Sequence, residues 1–450
     1  MKHFIFAKKN ASDYQLKDRE YLCKKEQSSF KVNFSFTFIS NIIYAICQWG
    51  ILTSIVKIGA PEMVGVFALS IAIVQPIFAF TNLQLRGILC SDSKNLYTFG
   101  DYLSVRILGI LISIMVVSLI AMYNYNSLKS ILPIVLMAFA AGAQSLSDIF
   151  YGFFQKIGRF DHIAKSMVMK GLISLVVVAS IVFLTRNIIG FICGLAISRY
   201  VVFFIYDFSY LRTVSNKKQR ELNFNYRNIY SIIWLSLPLG VNMMLLSYSV
   251  NIPRYYLEEY CGERALGIYS ALAYFIVIGA FVTGAVGQVA QPRLAKYYAS
   301  NNIFLFKKLI FKMLIIALLL GCVTLIVVYV AGQPILTVLY TSEYAKYHSL
   351  FLLIVLAGSI MFFVSIFGVV LTSARIFRSQ PVMNMMGCLV SFIGSIILIP
   401  RFGLMGAGIV AVLISITCAI FFALRIILLL LTSKNREYLI DSKVKSNKQI

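Results

Sequence analysis

Twelve apolar stretches divide this chain, and the Lys and Arg between them fall almost wholly on alternate gaps. A bilayer core needs ~20 apolar residues per spanning helix, and every stretch is long enough. Spans are predicted near 35–57, 63–85, 102–123, 131–152, 164–184, 188–209, 229–252, 265–290, 308–331, 349–372, 382–400 and 405–431. The gaps after even-numbered spans carry Arg86, Lys94, Lys156, Arg159, Arg212, Lys217, Lys218, Arg220, Arg293, Lys296, Lys307, Arg375 and Arg378. The N-terminal tail is also basic, whereas the odd gaps hold only Lys57, Lys129, Arg186, Arg254, Arg264, Lys346 and Arg401. The positive-inside rule then puts the even gaps and both termini in the cytoplasm. The fold class expected is an all-α membrane protein of about 12 transmembrane helices.

Composition agrees. The chain is 60% hydrophobic and only 13% charged, too little polar surface for a soluble core of 450 residues. Its formal charge of +24 would suggest nucleic acid in a soluble protein. Here the basic residues serve as topology determinants against an anionic inner leaflet, and no nucleic-acid partner is expected. The first apolar run starts about 33 residues in, too long for a signal-peptide core, so span one is expected to be retained. The eight Cys are scattered with no CxxC pair, and the three His share no ligand spacing. Neither a metal, a cofactor nor a catalytic residue is expected. The gaps are too short for a folded soluble domain, and no Walker A pattern occurs, so transport by this chain would draw on an ion gradient, a membrane potential or the substrate's own gradient.

The longest internal cytoplasmic gap splits the spans six and six. This predicts a tail over 1–33, a first lobe over 34–210, a loop over 211–228, a second lobe over 229–432 and a tail over 433–450. The halves share a motif. Span two opens with Pro61-Glu62-Met63-Val64-Gly65-Val66-Phe67, and span eight with Gly262-Glu263-Arg264-Ala265-Leu266-Gly267-Ile268-Tyr269. Two parallel six-helix repeats are one transporter architecture.

Polar residues recur at helical spacing within the spans: Asn33, Thr37, Asn41, Tyr44 and Gln48 in span one; Gln75, Asn82 and Arg86 in span two; Gln144, Asp148, Tyr151 and Gln155 in span four; Ser247, Asn251 and Arg254 in span seven; Gly284, Gln288 and Gln291 in span eight. Such groups face a bundle interior or a water-filled cavity. Interhelical hydrogen bonding would explain one stripe; five together favour a shared lumen. Arg199 lies mid-span and Arg254 at the outer end of span seven, where topology explains neither. With Arg86 and Arg293 they would suit an anionic head group, since the guanidinium fork matches phosphate oxygens. Asp148 is a candidate for ion pairing or for a coupling cation.

Several of these segments are similar to the bacterial oligosaccharide flippases of the polysaccharide transporter family, part of the multidrug/oligosaccharidyl-lipid/polysaccharide exporter superfamily. The resemblance rests on 57–72, on Asn82-Leu-Gln-Leu-Arg86 with Asp92, on 145–156, on 253–257 and on 262–270. It implies two six-helix lobes forming a V around a central cavity. It also implies translocation of an undecaprenyl-pyrophosphate-linked oligosaccharide across the bacterial plasma membrane, for O-antigen or capsule synthesis. The expected partners are this substrate, membrane lipids, and a polysaccharide polymerase with its chain-length regulator. On this reading the lumen is lined by Arg86, Arg199, Arg254, Arg293, Asn41, Gln48, Asn82, Gln144, Asn251 and Gln288. Two alternatives remain at this point: a cation-coupled drug or small-molecule exporter of the same superfamily, and a membrane-embedded polysaccharide enzyme.

Overall fold

The computed structural model describes residues 36–92, 96–214, 222–374, 376 and 379–446; for 432–446 and parts of span eight only the helical backbone is described. The tail 1–33 with Asn33, and the basic residues Lys94, Lys217, Lys218, Arg220, Arg375 and Arg378, lie outside the described residues.

The described residues form helices and connecting turns, with no strand. Among the described residues, ten helices are long and apolar enough to cross a membrane. Two of them are double passes. Tyr226–Ala299 runs 74 residues and breaks at Gly262, where φ is 80°. Gln380–Ser446 runs 67 residues and breaks at Gly403, where φ is 55°. Each would extend ~100 Å if straight, about three times the hydrocarbon thickness. A left-handed residue folds each back, and glycine adopts it without a Cβ clash. Twelve passes therefore come from ten helices, in two six-helix lobes.

The passes are span one Phe36–Ile58, two Pro61–Thr81, three Phe99–Asn124, four Leu128–Lys156, five Phe160–Thr185, and six from Ile188 through a π-helical turn at Phe203–Phe208 to Val214. Spans seven and eight share Tyr226–Ala299; nine is Ile303–Leu339, ten His348–Ser373, and eleven and twelve share Gln380–Ser446. Helix thus extends past residue 210, and span seven begins inside the stretch read as the inter-lobe loop. The face where span one begins is called the near face below, and the opposite one the far face.

The shared motif marks where the lobes meet. A Cβ on Gly65 would stand 1.9 Å from the Glu263 carbonyl oxygen, and a Cβ on Gly267 would stand 2.0 Å from that of Pro61. The motif glycines are 202 residues apart, and so are Pro61 and Glu263. Glu62 and Arg264, also 202 apart, form an ion pair of 3.1 Å. Contacts that repeat reciprocally at one separation are those of a local two-fold axis. Spans two and eight both run from far face to near face, so this axis lies along them. Backbones touch here because neither glycine carries a side chain, the usual device at close helix crossings in membranes. Arg264 also reaches Glu343, beyond span nine. Tyr255 donates to the Ala72 carbonyl, tying span seven to span two.

Candidate functional site

A cavity of about 400 Å³ lies against the first lobe. Spans one, two, four and six line it, and Tyr274 of span eight closes one side. Its polar groups are Gln48, Gln75, Asn82, Gln144, Ser145 and Arg199; its apolar walls include Phe67, Val74, Met137 and Leu195. Of the polar residues at helical spacing, Gln48, Gln75, Asn82 and Gln144 share this wall. Two amides there have atoms with no hydrogen-bond partner among the described residues: Gln48 Nε2 and Gln144 Oε1. The Arg199 guanidinium donates to the Ala140 carbonyl at 3.3 Å, and no carboxylate among the described residues lies within 4 Å of it.

A charged cluster borders this cavity towards the near face. Leu83 and Gln84 adopt left-handed conformations, φ 51° and 48°. Two consecutive non-glycine residues of this kind store backbone strain. They break span two and start the short helix Leu85–Ser91 in a new direction, which carries Arg86 to span four. There Arg86 pairs with Asp148 at 3.4 Å and donates to Gln155 Oε1 at 3.2 and 3.1 Å. Arg106 of span three, fully buried, meets the other Asp148 oxygen at 3.2 Å and donates to Asn82 Oδ1. One carboxylate between two guanidiniums leaves the trio at net +1. Asp148 is thus ion-paired from both sides.

A second buried group lies alongside. Lys170 of span five donates to Asp207 Oδ2 at 3.0 Å and to the Tyr151 hydroxyl at 2.9 Å, and Tyr151 shares a hydrogen bond of 2.7 Å with Ser166. Asp207 sits on the π-helical turn of span six and is 0% exposed. Such turns carry an extra residue and redirect side chains, often where function needs it.

The remaining sequence candidates lie elsewhere. Asn251 and Arg254 are inside the second lobe, hydrogen-bonded to each other at 3.0 Å; Arg254 lines a separate cavity there. Arg199 and Arg254, both expected along the lumen, line two cavities on either side of span eight, with Tyr274 facing one and Ala273 the other. Arg293 is exposed, with Lys312, at a groove between Phe38 of span one and spans eight and nine. Asn41 is half-buried on span one and is not part of the cavity wall. The Gln288 side chain lies outside the described residues. Arg106, Lys170 and Asp207 were not among the sequence candidates. The signal for all three was available: ionisable residues within spans are functional or structural sites by default.

Taken together, a two-lobed bundle of twelve passes with a cationic, amide-lined cavity defines a multi-pass membrane protein. Comparison with known proteins agrees. The fold matches an inward-facing multidrug resistance MATE family transporter of the MOP superfamily, with a TM-score of 0.69 at 13% identity over 87% of this chain and 95% of that one. It also matches the lipid II flippase MurJ in an inward closed conformation, with a TM-score of 0.70 at 12% identity over 88% of this chain and 87% of that one. The capsular polysaccharide biosynthesis protein CapF of Staphylococcus aureus is 30% identical over 383 residues, 84% of this chain and 94% of CapF. The family described as polysaccharide biosynthesis protein matches residues 30–298, and the chain belongs to it. The fold is one shared by solved transporters.

Proposed function

We propose that this protein flips an undecaprenyl-pyrophosphate-linked oligosaccharide across the bacterial plasma membrane for surface polysaccharide synthesis. The observation that carries the reading is the cavity beside Arg199: a guanidinium held, among the described residues, only by a backbone carbonyl and surrounded by amides with unused hydrogen-bonding atoms. Amides suit sugar hydroxyls, and the guanidinium suits the pyrophosphate. The Arg86–Arg106–Asp148 trio adds its net positive charge from the near face. The capsular role in CapF's name and the flippase role in MurJ's support the same substrate class. The cation-exporter alternative needs an available acid at the cavity. Both carboxylates beside this one, Asp148 and Asp207, are held by cations.

On this reading the lobes are spans one to six, ending at Val214, and spans seven to twelve, starting at Tyr226, with both termini cytoplasmic. The cavity then takes the head group from the cytoplasmic side while the polyprenyl tail stays in the bilayer. The crossing of spans two and eight, with the Arg264 ion pairs, seals the outer face. Release requires that crossing to open. A polymerase and its chain-length regulator receive the product outside. A periplasm-dependent reporter fused after Asn435 should be silent; activity there would overturn the orientation.

The substrate reading is tested with surface polysaccharide in a flippase-null strain. A charge-assisted contact is worth ~1.5–3 kcal/mol, so Arg199→Ala should lower output roughly ten- to hundredfold at equal expression. Arg199→Lys should restore part of it, keeping the charge but losing the fork. Wild-type output from Arg199→Ala would remove this residue from the mechanism.

A further inference from the structure

We propose that the cavity inside the second lobe is a binding site for one small monovalent anion of chloride's size, held by Arg254 and Tyr269. The cavity measures about 140 Å³ and lies between spans seven, eight, ten and twelve. Its walls are mostly apolar: Val250, Pro253, Ile276, Ala357, Met361 and Ile414.

The first argument is charge. The two most deeply buried cations of the bundle, Arg106 and Lys170, each meet a carboxylate, at 3.2 and 3.0 Å. Arg254 has none within 4 Å among the described residues. Its bonded partner, Asn251 Oδ1, is neutral. A guanidinium has five N–H donors, and its buried Nε–H meets no acceptor. An unbalanced cation at membrane depth is costly, and an anion beside it removes that cost.

The second argument is the companion donor. Tyr269 lines the same cavity and is 5% exposed. Its hydroxyl is hydrogen-bonded to none of the described residues, so its proton is available to an acceptor. Ser249 and Ser415, the other hydroxyls on the wall, donate instead to the Leu246 and Ala411 carbonyls at 2.8 and 2.9 Å.

Size and charge select the ligand. At ~30 Å³ per water, the space takes a halide with a few waters and excludes a glycan head group. A single cation balances one negative charge, so a divalent phosphate would leave one uncompensated. Span eight stands between this cavity and the one at Arg199, so the site is independent of the substrate reading.

The test uses the full chain, purified in lipid nanodiscs, with chloride exchanged for gluconate at constant ionic strength. The thermal midpoint should rise saturably with chloride, and likewise with bromide. Arg254→Gln should abolish the dependence, Tyr269→Phe should weaken it, and Arg199→Gln should keep it. If Arg254→Gln fails to fold, Tyr269→Phe and crystals grown in bromide decide: an anomalous peak between Arg254 and Tyr269 supports the site. A wild-type midpoint indifferent to chloride, an unchanged dependence in Arg254→Gln, or a cavity holding only water in bromide crystals would each overturn it.

Discussion

The two lobes share a helical plan but treat polarity in opposite ways. The first holds Arg86, Arg106, Asp148, Lys170 and Asp207 in one region, tied through Asn82, Tyr151, Ser166 and Gln155. The second holds Arg254 and, nearer its near end, Arg425, neither with a carboxylate among the described residues. Apart from the Arg264–Glu343 ion pair at its far end, its interhelical polar contacts among the described residues are neutral, such as Asn384 to Asn242 at 3.0 Å and Ser391 to the Ser249 carbonyl at 2.8 Å. The difference teaches that a repeated bundle can divide its labour. One lobe is cross-linked by charge and presents the polar cavity wall; the other packs mainly by shape.

The sharpest way to break this comparison is at Lys170–Asp207. Removing one partner of a buried ion pair leaves an uncompensated charge and costs ~3–5 kcal/mol. Asp207→Ala should therefore lower the thermal midpoint and the yield of folded protein. The double variant Lys170→Met with Asp207→Leu should recover much of the loss. Equal stability of Asp207→Ala and wild type would show that this pair is not what fastens spans five and six.

The inter-lobe crossing comes next. A methyl on Gly65 cannot stand 1.9 Å from a carbonyl oxygen, so Gly65→Ala must push spans two and eight apart. Overpacking of this kind costs ~1–3 kcal/mol. Disulfide trapping between Glu62→Cys and Arg264→Cys should become slower in that background, and Gly267→Ala should act alike because the contact is reciprocal. Opposite behaviour of the two glycine variants would refute the local two-fold.

The smallest effect is expected in the second lobe. Asn242→Ala removes a neutral hydrogen bond between spans seven and eleven. Such contacts between membrane helices average ~0.6 kcal/mol, so unfolding in detergent should shift only slightly. A loss as large as that of Asp207→Ala would mean that neutral amides fasten the second lobe as firmly as charges fasten the first.

Much of this was legible in the chain. Apolar length and alternating charge are local properties, so twelve passes followed directly. The structure adds only that Gly262 and Gly403 let two pairs of passes share one helix. The stripe Gln144–Asp148–Tyr151–Gln155 was legible because helical periodicity puts it on one face. Its partners were not. Arg106 and Lys170 lie on other spans, and no one-dimensional spacing says which helix packs against span four.

Arg199 and Arg254 mark the boundary between the two kinds of information. Sequence alone determined that both are guanidiniums within apolar segments, costly wherever they sit, because the price of a buried charge depends on the medium. Only the tertiary structure decided that one faces the cavity beside Gln48 and Gln144 and the other a small chamber beside Tyr269. That choice rests on the rotation of each helix about its own axis, which is set by packing against its neighbours.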